Sequence, residues 1–223
     1  MLRNEREFWS SGGTRLAGVD EAGRGPLAGP VVAAAVIFDP AYAEAEALRS
    51  LEGLTDSKKL SAVQREHFYV VLKAAAGGVS IGVGFADHLE IDRINILNAT
   101  HVAMARALAA LAQPAEHALV DGRPVRGLPC ASTALVGGDG KSLSIAAASV
   151  IAKVTRDRLM CEEDRRYPAY GFAKHKGYGT SRHMQALLAH GSCAIHRHSF
   201  TPVREAEDLQ RRRQAERGTG DEG

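Results

Sequence analysis

One stretch near the start of the chain constrains what the rest can fold into. In Leu16-Ala17-Gly18-Val19-Asp20-Glu21-Ala22-Gly23-Arg24-Gly25-Pro26-Leu27-Ala28-Gly29-Pro30, an apolar run ends in two adjacent carboxylates, and a glycine-rich turn with one arginine follows. So short an apolar run reads as a buried strand, and successive side chains on a strand point to opposite faces. Asp20 and Glu21 can therefore serve one site only where the strand ends, at a rim where its last residues splay. Gly23 and Gly25 permit backbone that other residues resist and let another molecule approach the main chain closely. Concentrated negative charge, exposed amides and a guanidinium together suit a metal and a phosphodiester.

The elements that follow alternate in type. Residues 31–38 are continuously apolar, bounded by Gly29-Pro30 and Asp39-Pro40, and read as the second strand of an early hairpin. Ser61 looks like the N-cap of a helix over residues 62–75, and residues 79–85 read as a third strand. An alanine-rich helix is expected over residues 95–111, stopped by Pro114. Short strands are expected at 117–122 and 131–136, a long helix from about Ser142 to Asp164, and a shorter one over 181–190. Strands followed by helices argue for an α/β or α+β layered domain. The expected division is a flexible lead-in over residues 1–13, one folded domain over 14–203, and a charge-dense tail over 204–223, disordered from 217.

Composition narrows the function classes. At 223 residues with 45% apolar and 24% charged side chains, the chain can bury one substantial core. Its apolar runs fall far short of the roughly 18 residues a membrane span needs, and Met1 to Ser10 is charged, without the apolar core of a secretory signal. Three cysteines, Cys130, Cys161 and Cys193, lack C-x-x-C spacing and read as reduced thiols, neither a disulfide framework nor a zinc site. A cytoplasmic monomer is expected. The net charge of +2 neither demands nor excludes nucleic acid.

Three predicted strand ends carry a carboxylate beside glycine: Asp20-Glu21, Asp121-Gly122 and Gly138-Asp139-Gly140. One sheet can bring such ends together. Four converging carboxylates repel one another unless cations are present. With no His/Cys spacing for zinc, the hard oxygen donors favour Mg²⁺ or Mn²⁺. Two such ions would activate a water and stabilise a leaving oxygen in phosphodiester cleavage. A single Asp-Gly pair is more often a turn than a ligand, whereas Asp20-Glu21 at the end of an apolar strand is harder to dismiss. Gly23 to Ala28 also matches the dinucleotide pattern G-x-G-x-x-A, but Pro26 and Gly29-Pro30 deny it the helix that the pattern must open. In the expected loops, Ser57-Lys58-Lys59 and Lys174-His175-Lys176-Gly177-Tyr178 could grip phosphates, with Tyr178 as a stacking face. On the long helix Ser149, Lys153 and Arg156 share a face that could point back at the site, although the alanine-rich stretch around them reads more simply as close-packed core. His196 and His198 flank Arg197 and receive no role.

These motifs resemble the bacterial ribonuclease HII family. The opening stretch carries the resemblance, as do Asp56-Ser57-Lys58-Lys59-Leu60, Leu119-Val120-Asp121-Gly122, the helix segment from Ala147 to Arg158, His175-Lys176-Gly177-Tyr178-Gly179-Thr180 and the closing His196-Arg197-His198-Ser199-Phe200-Thr201-Pro202-Val203. The resemblance implies an RNase H-like mixed sheet flanked by helices, with a C-terminal helical portion. It implies endonucleolytic cleavage of RNA in RNA–DNA hybrids and of DNA duplexes with embedded single ribonucleotides, giving 3′-hydroxyl and 5′-phosphate ends. It places the acidic metal ligands on Asp20, Glu21, Asp121 and Asp139, the reading of the ribose 2′-hydroxyl on Gly23, Arg24 and Gly25, and the sensing of the RNA-to-DNA junction on Tyr178. Two positions depart from the family pattern: Gly137 stands where lysine is common, and His198 where arginine is frequent, which makes charge there pH-dependent. The alternatives are a non-catalytic nucleic-acid-binding module and a nucleotide-dependent oxidoreductase built on Gly23 to Ala28.

Overall fold

Alternation along residues 31–38 sends successive side chains into two different cores, and the sheet is built around that run. The structure, a computed structural model, describes residues 1–75 and 77–218. Helix α1 (Arg3–Ser10) precedes a hairpin of β1 (Leu16–Ala22) and β2 (Val31–Phe38). A broken helical stretch follows, with α2 (Pro40–Tyr42), a π-helical turn (Ala43–Ala47) and α3 (Leu48–Ser50). Next come α4 (Ala62–Ala74), β3 (Val79–Ala86), α5 (His88–Ala109), β4 (His117–Asp121) and β5 (Ala131–Leu135). A 3-10 turn (Gly138–Gly140) leads into α6 (Leu143–Arg166), and α7 (Phe172–His175), α8 (Ser181–His190) and α9 (Thr201–Gly218) form the C-terminal helical portion. The strand order is β3-β2-β1-β4-β5. The first three strands pair antiparallel and the last two add parallel to β1, giving the expected mixed sheet.

Ala34, Val36 and Phe38 pack with Phe68 and Leu72 of α4 and with Ala147 and Ile151 of α6. Val31, Ala33, Ala35 and Ile37 face the other way, towards Ile91, Met104 and Leu108 of α5. Burial on both faces explains why β2 shows no polar alternation. The side chains are small because the helices lie almost on the backbone of the sheet. A Cβ at Gly18 would come within 2.1 Å of the Ser144 carbonyl carbon, and one at Gly84 within 2.1 Å of the Ala103 carbonyl oxygen. Strand β1 and helix α6 therefore touch main chain to main chain, which fixes the position of one against the other.

Capping residues set most helix starts. Ser61 and Gln64 form a capping box at α4, and Ser142 accepts from the Ile145 amide at α6. The helix expected from residue 95 begins earlier, at His88, with a kink at Asn95 (φ 65, ψ 163). Asn95 Oδ1 accepts from the Leu97 and Asn98 amides at 3.0 and 3.1 Å, so it caps the second half. The first half escaped prediction because, of residues 88–94, only Ile91 is buried.

The expected flexible lead-in is also corrected. Residues 3–10 are helical, Leu2 is buried, and buried Glu5 accepts from Ser142 Oγ (2.6 Å), the Ser144 amide (3.0 Å) and Ser144 Oγ (2.8 Å) at the N-terminus of α6. A carboxylate there is favoured by the helix dipole. Its partners lie far along the chain, so no local pattern announces it. The expected tail is likewise helical through residue 218, with Val203 and Ala206 of α9 buried beside Leu27 and Leu187. Residues 219–223 of the stretch expected to be disordered lie outside the described residues. Among the described residues no helix is long and apolar enough to cross a membrane.

The β1–α6 contact generates a stability prediction. Gly18→Ala forces a methyl into the α6 backbone and should destabilise the fold by about 1–3 kcal/mol. Urea denaturation followed by circular dichroism checks it, and an unchanged midpoint would contradict the close crossing.

Candidate active site

The edges of β1 end at different places. Its pairing with β4 stops at Val19 and Val120, while its pairing with β2 continues to Ala22 and Val32. From Asp20 onward the β4 side of β1 is therefore a rim, as the adjacent carboxylates required. Asp121 closes β4 beside it. Asp139 is not at a strand end as expected. Beyond β5 the chain passes through Gly137 (φ 64) into the 3-10 turn that carries it. Gly138 is confined there, since a Cβ would meet Ile145 Cδ1 at 2.5 Å, and its amide donates to Asp121 Oδ1 at 2.7 Å. That bond ties the Asp139 turn to β4. Gly137 sits in left-handed backbone, where the family's common lysine would be strained.

One carboxylate oxygen from each of Asp20, Asp121 and Asp139 lies within 4.8 Å of the others. Glu21 stands outside this tight group, and its Oε1 takes Arg24 Nη1 at 3.2 Å. The structure thus brings three of the four predicted carboxylates together and places the fourth beside them. Burial, reinforced by Glu21 and Asp121, pushes the Asp20 carboxyl well above the usual carboxylate range. Burial also raises Glu21 against the opposing pull of Arg24. Asp139 is raised by burial and by Asp121 and Asp56. Burial alone would lower Lys58, but Asp20, Asp56, Asp139 and Asp121 outweigh it and hold its ammonium above the ordinary value. The donors are hard oxygens, crowded and negatively charged, and this set fits a divalent cation.

Asp56 is the site residue that sequence reasoning passed over. Its Oδ1 accepts from the Lys58 amide at 2.9 Å, and its charge acts on Asp139. The signal was present in the polar knot around Ser57, but nothing local showed that the knot faces the strand rim. Ser57 and Ser149 are buried and bonded, Ser149 Oγ donating to Ser57 Oγ at 2.7 Å and accepting from the Ser57 amide at 3.3 Å.

Gly23, Arg24 and Gly25 form a loop beside the carboxylates. It runs into β2 and opens no helix, so the dinucleotide reading has no structural basis. Gly23 adopts φ +97, and a Cβ there would strike Arg156 Nε at 2.0 Å. Arg156 does not reach out to phosphate. It is 1% exposed, and its guanidinium donates to the carbonyls of Ala28, Pro30 and Lys176. Tyr178 is exposed, its ring 3.7 Å from where a Gly25 Cβ would stand. Two predicted phosphate ligands are engaged elsewhere: Lys153 pairs with Asp157 at 2.8 Å, and Lys176 donates to the Ala173 carbonyl and to Cys161 Sγ. His198 bonds Glu207 of α9 at 2.6 Å, away from the carboxylates.

Buried histidines support Tyr178. His183 Nδ1 lies 3.0 Å from the Tyr178 carbonyl and must donate to it, so its Nε2 accepts from His196 Nε2 at 3.0 Å. His196 Nδ1 then accepts from the Cys193 amide at 2.8 Å. Burial, with the neighbouring His183, pulls His196 down to about 4, which keeps the chain of bonds neutral.

Comparison with known proteins identifies the family and the fold. The family model described as Ribonuclease HII matches residues 17–203. A ribonuclease HII of Geobacillus thermodenitrificans (strain NG80-2) is 53% identical over 213 residues, covering 94% of this chain and 77% of its own. The crystal structure of the ribonuclease H2 from Pyrococcus horikoshii OT3 superposes with a TM-score of 0.73 at 28% identity, covering 88% of this chain and 99% of that one. A ribonuclease HIII, Bst-RNase HIII in complex with Mn²⁺, shares the fold at a TM-score of 0.65 and 20% identity, covering 90% of this chain and 71% of that one. A family match from Ala17 to Val203, with carboxylates gathered at the rim of its sheet, shows that this chain belongs to the ribonuclease HII family and is a metal-dependent ribonuclease.

Proposed function

We propose that this ribonuclease cuts the RNA strand of RNA–DNA hybrids and also cuts DNA duplexes 5′ of single embedded ribonucleotides, leaving 3′-hydroxyl and 5′-phosphate ends. Family membership supports ribonuclease H activity on hybrids. One observation carries the finer reading: the 4.8 Å cluster of Asp20, Asp121 and Asp139 adjoins a glycine-arginine-glycine loop with Tyr178 against it. A group that attacks phosphodiesters thus stands next to backbone able to meet a ribose. The 2′-hydroxyl is what distinguishes RNA from DNA at a site.

Asp20, Asp121 and Asp139, with Glu21 beside them, would hold Mg²⁺ or Mn²⁺, with two ions expected. When bound, such ions supply activation of water and stabilisation of the leaving oxygen. The chain's own residues do the rest. Lys58 brings its positive charge to the carboxylates and can meet the scissile phosphate. Ser57 and Ser149 hold the loop of Lys58 against α6. Gly23, Arg24 and Gly25 offer main chain to the 2′-hydroxyl, and Tyr178 offers a ring face to the sugar on the DNA side of the junction. Lys153 and Lys176 line the path of the strand once substrate draws them from Asp157 and Ala173.

Three outcomes are expected. Asp139→Asn should lower turnover of a hybrid in Mg²⁺ by ~100-fold or more, the scale of the several kcal/mol that a bound metal ion supplies; near-normal cleavage would sink the assignment. The most direct assay is a duplex carrying one ribonucleotide, incubated with and without EDTA. Tyr178→Ala should slow cleavage of that duplex by about tenfold, the scale of one aromatic stacking contact, while a continuous hybrid is cut with a smaller loss. Equal losses on the two substrates would contradict a junction role.

The third outcome concerns stability. Asp20 titrates higher folded than unfolded, so the folded state holds its proton to higher pH. Metal-free protein should therefore lose stability as pH rises from the unfolded value of about 4 through the folded one. In EDTA at neutral pH, Asp20→Asn should raise the melting temperature above that of the parent. A lower one would mean that the carboxylate stabilises the empty fold.

A further inference from the structure

Arg197 is fully buried and makes no ion pair among the described residues. Its guanidinium instead donates to three main-chain carbonyls: Nε to Gly29 at 2.9 Å, Nη1 to Arg24 at 3.0 Å and Nη2 to Gly23 at 2.6 Å. Burial, with Arg156 nearby, lowers it to about 9. So costly a placement needs a reason, and peptide geometry supplies one. The chain contains no cis peptide bond among the described residues. In a planar trans peptide the carbonyl and the following N–H point in opposite directions. With the Gly23 and Arg24 carbonyls drawn inward onto Arg197, the amides of Arg24 and Gly25 are turned outward. Among the described residues neither amide has a backbone acceptor.

We propose that Arg197 is the positioning residue for ribose recognition: by holding the carbonyls of Gly23 and Arg24, it aims the Arg24 and Gly25 amides at the substrate's 2′-hydroxyl. The inference rests on the reading that this loop meets the ribose. Arg197 touches no substrate and acts only through the loop. The guanidinium meets the three carbonyls from three separate nitrogens in one plane, whereas an ammonium gathers its three donors on a single atom. The ring of Phe200 lies 5.2 Å from the guanidinium carbon and supports it. The loop's other boundary is set by Arg156, which joins Ala28 and Pro30 to the Lys176 carbonyl near Tyr178.

The test measures discrimination. Binding of a duplex carrying one ribonucleotide and of the same duplex in all-DNA form is titrated by fluorescence anisotropy in EDTA, and the ratio of the two Kd values is taken. The parent should prefer the ribonucleotide. In Arg197→Lys that preference should fall by about tenfold, the size of a hydrogen bond or two, while binding of all-DNA duplex changes little. A folded Arg197→Lys that weakens both duplexes alike, or keeps the parent ratio, overturns the proposal. If Arg197→Lys does not unfold cooperatively, Phe200→Leu takes its place. That variant should lower the ratio by a smaller factor, and an unchanged ratio overturns the proposal. A parent that shows no preference overturns the reading of the loop itself, a failure distinct from that of Arg197.

Discussion

The contact of α6 with β1 at Gly18 is the constraint on which the rest of the structure depends. Strand β1 carries Asp20 and Glu21 to the rim, and α6 carries Ser149 and Arg156 past them. With the Ser144 backbone where a Cβ of Gly18 would stand, neither element can slide without a collision. The buried Glu5 carboxylate ties the N-terminus of α6 to α1 through Ser142 and Ser144, so the helix is held at its start as well. Interiors packed this tightly transmit position well. The alanines of β2 and α6 are therefore part of the site's geometry, and Ala34 and Ala33 pair directly across the sheet with Asp20 and Glu21.

Charge is handled in opposite ways on the two sides of the opening loop. On one side Asp20, Asp121 and Asp139 are crowded, with Lys58 bringing one positive charge among them, and burial holds Asp20 and Asp139 above the usual range. That arrangement suits a cation. On the other side Arg156 and Arg197 are buried, without carboxylate partners among the described residues, and satisfied by carbonyl dipoles. Burying a charge is tolerable only when its hydrogen-bonding capacity is met. Here the carbonyls that meet it belong to the loop between β1 and β2. The negative side is built for chemistry and the positive side for rigidity, and Gly23 joins them because only a residue without a side chain fits against Arg156.

Much of this was legible along the chain. The apolar run ending at Asp20-Glu21 announced a strand rim, and Ser61 and Ser142 marked their helices by capping chemistry that operates within three residues. Asp121 and Asp139 stood beside glycines, which raised them as candidates. What failed to show was non-local. Glu5 looked like part of a solvated lead-in because its partners are Ser142 and Ser144. Asp56 stood in the motif beside Ser57 and Lys58 without a role of its own, and Arg197 looked like one basic residue between two histidines. Lys153 and Lys176 are the local exceptions: Asp157 lies one helical turn beyond Lys153, and the Ala173 carbonyl three residues before Lys176.

By itself the sequence determined the order and kind of the central strands and of the main helices between them, the carboxylates available for metal, and through its motifs the family. Those properties rest on periodicity, capping and residue chemistry, which act over a few neighbours. Only the tertiary structure decided which carboxylates crowd together, that Glu21 turns to Arg24 and leaves three in the tight group, and that Arg156 and Arg197 face inward onto carbonyls. These depend on where β4 stops pairing with β1 and on how closely α6 lies on the sheet. Such distances between remote residues are set by the packing of the whole core.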